Sequence, residues 1–498
     1  MKTNILKVFS ITATVILITS FNATSQTIEP RGIYAVIAAD EYGYDTTVIN
    51  QVLANPAVCG ITIRQRWRDV EQSEGNYDFL KINDAISRAS ALNKTVQLII
   101  VPGFYTPDWV LNQIDSCEDD LISPPPIPSF CGKLKMKVPY GIDSGDTLWF
   151  PLPWDSLYKQ KWHNFLTALA LQYNGSSTIV SIAVGGPTSV SCEMTMPEFY
   201  DWPRWRNVIN LFYPIFNPHR NSNLIFVEEW ANAIQFYDTI FTGKTLVVTM
   251  ANALINFPSY SSVAARDTIL EFYKNVTLLN NSKGVQTSGL VACNNYPNDV
   301  IKVKELTLNN IIGGSQFAMP ASTSPNMMGC DSCVTFPFST YCSAITPDTA
   351  IKKVLRVYFD STACGNTFGN GAVGSYQMNY LQVYSPDIIY ANMNSTAQSL
   401  FLSANNCMNG CITTNVHVNK DIIGNVFIYP NPFNNSLSIQ FPENDCQLNI
   451  IDMLGNVIFE KTFKNKQETI KLNLNSGIYF YQVNNKKVFI SSGKIIAQ

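Results

Sequence analysis

Val96-Gln97-Leu98-Ile99-Ile100-Val101-Pro102-Gly103-Phe104-Tyr105-Thr106-Pro107-Asp108-Trp109 holds the pattern that decides the fold. Its first six residues form a nearly unbroken apolar run. Such a run suits a strand buried on both faces, as in a parallel sheet covered by helices. Pro102 and Gly103 end it, and an aromatic- and proline-rich loop follows. The same unit, a short β-branched run, a break and a helical pattern, recurs along the chain. Strands are predicted over 32–38, 60–64, 96–101, 179–184, 245–249, 285–291, 311–318 and 379–384. Between them, Leu80, Ile82, Ala85, Ile86, Ala89 and Leu92 mark one helix. Trp230, Ile234, Tyr237 and Phe241 fall on one face of another, and 349–359 carries a third stripe. Eight such units over residues 31–410 predict an α/β fold, a (β/α)8 barrel with enlarged loops. A doubly wound open sheet is the alternative. Its dinucleotide-binding form is weak, because no G-x-G-x-x-G follows the first strand.

The last residues read differently. Ile428-Tyr429-Pro430-Asn431-Pro432-Phe433, Leu437-Ser438-Ile439, Leu448 to Ile458, Leu474 to Val483 and Ser492 to Ile496 are short alternating strands punctuated by Pro, Gly and Asn. That is how a small all-β, Ig-like sandwich is written. An appended binding module of that shape is one reading. In all its blocks and their order, however, 426–498 resembles the type A C-terminal sorting domain of the type IX secretion system. The resemblance implies a partner, the type IX machinery, and a protein secreted or held at the surface of a Bacteroidetes-like cell. The N-terminus agrees with export. Lys2 and Lys7 precede the short apolar run 11–21, and Ala23-Thr24-Ser25 offers small residues for cleavage. The predicted organisation is a signal peptide over 1–25, the barrel over 26–411, a linker over 412–425 and the sorting domain over 426–498. No stretch is long and apolar enough to predict a transmembrane helix.

Charge is nearly balanced, 34 basic against 37 acidic side chains, which gives no case for nucleic acid as a partner. The 12 cysteines fit an oxidising compartment. Disulfides are expected within loops, among them the one bracketed by Cys117 and Cys131 and those holding Cys330, Cys333, Cys342, Cys364, Cys407 and Cys411; spacing leaves the pairing open. Cys330-Asp331-Ser332-Cys333 could instead open a zinc site. No second pair stands at zinc spacing, and the only histidines are His163, His219 and His417, so neither metal nor cofactor is expected.

In a barrel, chemistry belongs where the strands end at their C-termini. After the second predicted strand comes Arg64-Gln65-Arg66-Trp67-Arg68-Asp69-Val70-Glu71, then Gly75-Asn76-Tyr77-Asp78. After the third comes Pro107-Asp108-Trp109, and after the fourth Gly185-Gly186-Pro187-Thr188-Ser189-Val190-Ser191-Cys192-Glu193. These blocks resemble clan A glycoside hydrolases, near the family 42 β-galactosidase-like barrels. The resemblance is close over the first half of the barrel and extends to the second only in layout. It implies a carbohydrate substrate, with Glu193 as general acid/base; Cys192 stands where those families carry Asn. At the end of the seventh strand, where they carry a nucleophilic glutamate, stands Gln316, and an amide can bind but cannot ionise. Gln382 on the eighth strand is likewise an amide. Asp40 and Glu41 after the first strand are the candidate partners; Glu198 and Asp201 are other acids nearby. Glu71 matches a glutamate that supports the fold or a subsite. Glu228 and Glu229 are expected in the first turn of a helix, serving its dipole.

Aromatics on loops can stack on sugar rings. Trp67, Trp109, Trp149, Trp154, Trp202 and Trp205 are predicted on loops, with Trp162 and Trp230 in the core. Arg64, Trp67, Trp109, Trp202 and Gln316 are the candidate substrate-binding residues. Arg64 and Arg66 are candidates to bond sugar hydroxyls or orient a carboxylate, with a surface position for one of them as the equal alternative. Two functions follow: a hydrolase of poly- or oligosaccharide, or a catalytically silent barrel that binds glycan. A Ser/His/Asp esterase is a poor third, because no G-x-S-x-G elbow occurs.

Overall fold

The structure, a computed structural model, describes residues 29–38, 43–199, 202–292, 297–329, 345–359, 378–411, 426–429, 433–441, 444–452, 456–485 and 488–497. The expected signal peptide and linker, Asp40, Glu41, Asp201, His417, and Cys330, Cys333, Cys342 and Cys364 lie outside the described residues.

Eight strands form the ring of the first unit: β1 (Gly32–Ala38), β2 (Val58–Arg66), β3 (Thr95–Val101), β4 (Ile179–Ala183), β5 (Thr245–Ala253), β6 (Ser282–Leu290), β7 (Ile312–Phe317) and β8 (Tyr380–Tyr384). Each pairs in parallel with the next, and β8 returns to β1, with Gly32 opposite Tyr380, so the ring is closed. Helices α1 (Thr46–Ala54), α2 (Leu80–Ala91), α3 (Ser156–Tyr173), α4 (Leu224–Ile240), α5 (Ser262–Asn275), α6 (Pro297–Thr307), α7 (Pro347–Tyr358), α8 (Ser385–Met393) and α9 (Ser395–Cys407) follow the strands in turn. This is the (β/α)8 barrel, one buried core between ring and helices. Local sequence starts the helices where the ring needs them. Asp45, Asp155 and Ser261 accept N-cap hydrogen bonds from Thr47, Tyr158 and Ala264, each worth about 1 kcal/mol.

The barrel interior is polar at mid-height. Thr62 Oγ1 and Gln382 Nε2 both donate to Gln97 Oε1, at 2.8 Å, joining three strands across the lumen. Thr62 faces inward, and Arg64 and Arg66 follow at steps of two, so they share its face. Both are largely buried, Arg64 being 9% exposed and the Arg66 side chain 11%. The surface alternative for one of them is therefore corrected.

Two lysines brace the opposite, N-terminal face. Lys94, just before β3, donates to Leu53 O and Asn55 O at 2.6 and 2.8 Å. Lys244, just before β5, donates to Ser176 O and Ile179 O at 2.5 and 3.0 Å. Burial lowers both amines from the usual 10.5 to about 8. Between those values the unfolded chain holds more protons than the folded one, so stability attributable to these lysines rises with pH across that window. Measured as the difference between the wild type and a Lys94→Met/Lys244→Met variant, which cancels the opposing titration of buried phenols, the unfolding free energy should climb from pH 8 to 10. Parallel pH curves for the two proteins would contradict this.

The late cysteines do not all close local loops. Cys117 pairs with Cys131 around the proline-rich segment as expected, but Cys411 pairs with Cys59 at the start of β2, 352 residues away.

The second unit, described by itself, is all-β. Its strands are β9 (Phe427–Tyr429), β10 (Ser436–Gln440), β11 (Cys446–Ile451), β12 (Val457–Phe463), β13 (Gln467–Lys471), β14 (Gly477–Asn485) and β15 (Val488–Ala497). They form two antiparallel sheets, β9-β10-β13 and β12-β11-β14-β15. Alternate residues such as Leu437, Ile439, Leu448 and Ile450 turn inward to one core. The period of two read from the sequence is thus realised.

Candidate active site

Glu193 reaches the mouth by a detour. After β4 the chain loops out over 184–192 and returns as a short strand, Glu193–Thr195, which lies parallel to β5 with Glu193 opposite Thr249. The detour is locked to the loop after β3. Phe104 N donates to Ser189 O at 3.0 Å. Gly103 sits at φ 66°, and a Cβ there would lie 2.3 Å from Ser189 O. Only glycine satisfies both demands. The adjacent Cys192 is a buried thiol whose Sγ lies 3.1 Å from Ile100 O.

A hairpin, Lys133–Lys137 paired with Thr147–Pro151, completes the mouth. Its tip carries Tyr140 and Asp143. The Tyr140 hydroxyl donates to Glu193 Oε2 at 3.3 Å and lies 2.9 Å from Ser191 Oγ, which also accepts from Glu193 N at 3.3 Å. Burial first, then the Glu193 charge, push the Tyr140 phenol far above its usual range, with Ser191, Thr195 and Arg64 opposing. Tyr140 therefore stays a protonated donor to Glu193 across the working pH range. Asp143 meets Arg66 and Arg68 at 3.6 and 3.9 Å, and the Tyr105 ring lies under both guanidinium groups, 4.2 and 5.1 Å away. Arg64, Tyr140, Ser191 and Glu193 thus form one cluster. The sequence does not point to Tyr140 or Ser191 as parts of it, nor to Asp143 beside it; the turn-rich Gly141-Ile142-Asp143-Ser144-Gly145 is the local cue.

The other predicted residues scatter. Trp67 is fully buried against Tyr158, Trp162 and Phe165. Its indole donates to Glu71 Oε2 at 2.8 Å, so its expected place on an exposed loop is corrected: it is a core residue. Glu71 also accepts from Gly75 N, a structural role matching the expectation. Trp205 is likewise buried, on the helix Trp202–Phe212, and donates to Pro197 O. Trp154 packs on Trp205 and Phe226. Trp162 and Trp230 are core, as expected. Trp109 is half-buried, donating to Glu71 O with Lys161 over its ring. Trp202 is half-buried between Phe257 and Arg206. Trp149 carries Lys133 and Lys135 over its ring.

Gln316, at the end of β7, donates to the Tyr384 hydroxyl at 3.1 Å. Glu198 accepts from Lys137 N and pairs with Arg204. Helix α4 begins at Leu224, so Glu228 and Glu229 lie beyond its first turn; they pair with His219 and Lys159 instead of serving the dipole. Among the described residues no group of three or more His, Cys, Asp or Glu could hold a metal, and no helix is long and apolar enough to cross a membrane.

Residues 427–498 match the family described as Secretion system C-terminal sorting domain. A tail of this family directs its protein to the cell surface or to secretion. No curated protein matches the chain. Among solved structures the chain is similar to PorZ, an essential bacterial surface component of the type-IX secretion system of Porphyromonas gingivalis. That match has 17% identity and a TM-score of 0.13, and it covers 15% of this chain and 11% of PorZ. The catalytic domain of β-amylase from Paenibacillus polymyxa matches at 12% identity and TM-score 0.41, over 74% of this chain and 95% of that one. The β-galactosidase from Marinomonas ef1 matches at 10% identity and TM-score 0.38, over 76% and 61%. Likeness at this level assigns neither activity nor substrate.

Proposed function

We propose that the barrel is a carbohydrate-active module delivered outside the cell, a glycoside hydrolase in which Glu193 is the general acid/base. The observation that carries the reading is the half-buried Glu193 carboxylate held at the barrel mouth beneath the Tyr140 hydroxyl. Glycosidic cleavage needs one carboxyl group to protonate the leaving oxygen and a second carboxylate to attack the anomeric carbon or activate water. Glu193 takes the first role. Asp40 and Glu41 follow β1, whose Ala38 lies opposite Arg64, and are the proposed source of the second. Arg64 orients the pair or a sugar hydroxyl. Asp40→Asn and Glu41→Gln, assayed on aryl glycosides, test this directly: one of them should lose at least about 100-fold in kcat, the scale of a lost catalytic carboxylate. If neither loses activity, the second carboxylate is not there.

Tyr140 makes a further prediction. Its hydroxyl favours the ionised form of Glu193, so Tyr140→Phe should raise the Glu193 pKa. The limb of the kcat/KM pH profile that reports Glu193 should move to higher pH, with kcat falling about tenfold. A profile that drops in height without moving would mean Tyr140 only packs.

A second reading, a silent barrel that binds glycan, has one observation in its favour. Gln316 and Gln382 stand on β7 and β8 and cannot ionise.

A further inference from the structure

Three arginines at alternate positions, Arg64, Arg66 and Arg68, close β2 and open the turn after it. Arg64 belongs to the Glu193 cluster. Arg66 and Arg68 face the hairpin tip instead, and the proposed chemistry uses neither.

Both guanidinium groups lie over one ring. Tyr105 is 2% exposed, with Arg66 at 4.2 Å and Arg68 at 5.1 Å from its centroid. A ring fixed in the core holds in place the cations that stack on it. The acid that meets them is Asp143, 3.6 Å from Arg66 and 3.9 Å from Arg68. These are ion-pair distances, too long for hydrogen bonds. Within that range, among the described residues, two positive charges face one negative charge. The two arginines differ in access. The Arg66 side chain is 11% exposed and its Nε and Nη2 are closed off, so it supplies charge but little contact. The Arg68 side chain is 35% exposed, and its guanidinium is open to an incoming acceptor.

The place of this charge matters. Asp143 follows Tyr140 by three residues on the same tip, a span of at most about 11 Å, and Tyr140 touches Glu193. The excess charge therefore stands near the carboxyl group assigned to proton transfer. A neutral sugar would leave it uncompensated, and a cation would be repelled. One carboxylate or sulfate group beside Asp143 would balance Arg66 and Arg68. A guanidinium presents paired N–H donors that match two oxygens of such a group. We infer that the barrel mouth selects an acidic glycan, with Arg68 binding the carboxylate or sulfate ester of a sugar close to the bond that is cleaved. That the anion is carried by a sugar rests on the proposed function.

The test uses the full chain and polymers paired with their uncharged forms: polygalacturonate with its methyl ester, and a sulfated galactan with its desulfated form. Binding is read by affinity electrophoresis on Glu193→Gln, to prevent turnover, and hydrolysis on the wild type. At least one acidic polymer should bind tenfold or more tightly than its neutral form. The first pair reports a carboxylate and the second a sulfate ester. Raising salt from about 0.05 to about 0.5 M should shrink the preference as screening tightens. Adding Arg68→Met, which keeps an unbranched stem beside Tyr105, should remove the preference with the melting temperature unchanged; Arg68→Lys should retain part of it. Equal binding of acidic and neutral forms, no binding of either acidic polymer, or a preference untouched by Arg68→Met overturns the inference. Acid-selective binding in a wild type that hydrolyses nothing would reject the proposed function and keep this site. Hydrolysis confined to neutral polymers would do the reverse.

Discussion

Glu193→Gln is expected to lower kcat on a polysaccharide about 10³-fold, with the protein still folded. The substitution keeps the size of the side chain, and Tyr140 can donate to the amide oxygen as it does to the carboxylate. What is lost is the proton. General acid catalysis contributes roughly 10²–10⁴-fold, so about 4 kcal/mol of transition-state stabilisation is at stake. The loss should depend on the leaving group. An aryl glycoside with an acidic phenol needs little protonation to depart, so its bond-cleavage step should be nearly spared. Equal losses on both substrates would mean that Glu193 holds substrate and does not supply the proton. No loss on either would remove it from the chemistry.

The largest expected effect on stability comes from the Cys59–Cys411 bridge. It ties the start of β2 to the residues just after α9, so all of the barrel except β1 and α1 lies between its two ends. A cross-link stabilises chiefly by restricting the unfolded chain, and more for a longer loop. For the 352-residue separation the loop-entropy relation gives about 6 kcal/mol, against about 3 kcal/mol for the 14-residue Cys117–Cys131 loop. In urea titrations, Cys59→Ala/Cys411→Ala should therefore lose more unfolding free energy than Cys117→Ala/Cys131→Ala. The reverse order would show that the barrel termini are held by packing and the bridge adds little.

The barrel was legible because its strands are buried on both faces. Such strands read as compact apolar runs, and all eight fall where those runs lie, β1 at its predicted bounds. The tail was legible because its strands bury one face and alternate. The site was less so, for three physical reasons. Trp67 looks like a loop aromatic, yet the single helical turn Trp67–Val70 folds it back against α3, a tertiary contact with no local signature. Arg64 and Arg66 differ by two positions and so share a face; the expectation of opposite faces misapplied the strand period. Tyr140 and Asp143 come from a hairpin whose tip turns over the mouth, and contacts between residues 53 positions apart, such as Tyr140 with Glu193, leave no trace in spacing. The Cys59–Cys411 pairing was hidden for the same reason.

Release of reducing sugar from a panel of polysaccharides by the purified protein tests the central claim most directly. A hydrolase with its acid at Glu193 should generate new reducing ends from at least one polymer, at a rate proportional to protein concentration. Retention of the protein on an immobilised polysaccharide of the panel, with no reducing ends formed from any of them, would contradict the claim and identify the barrel as a glycan-binding module.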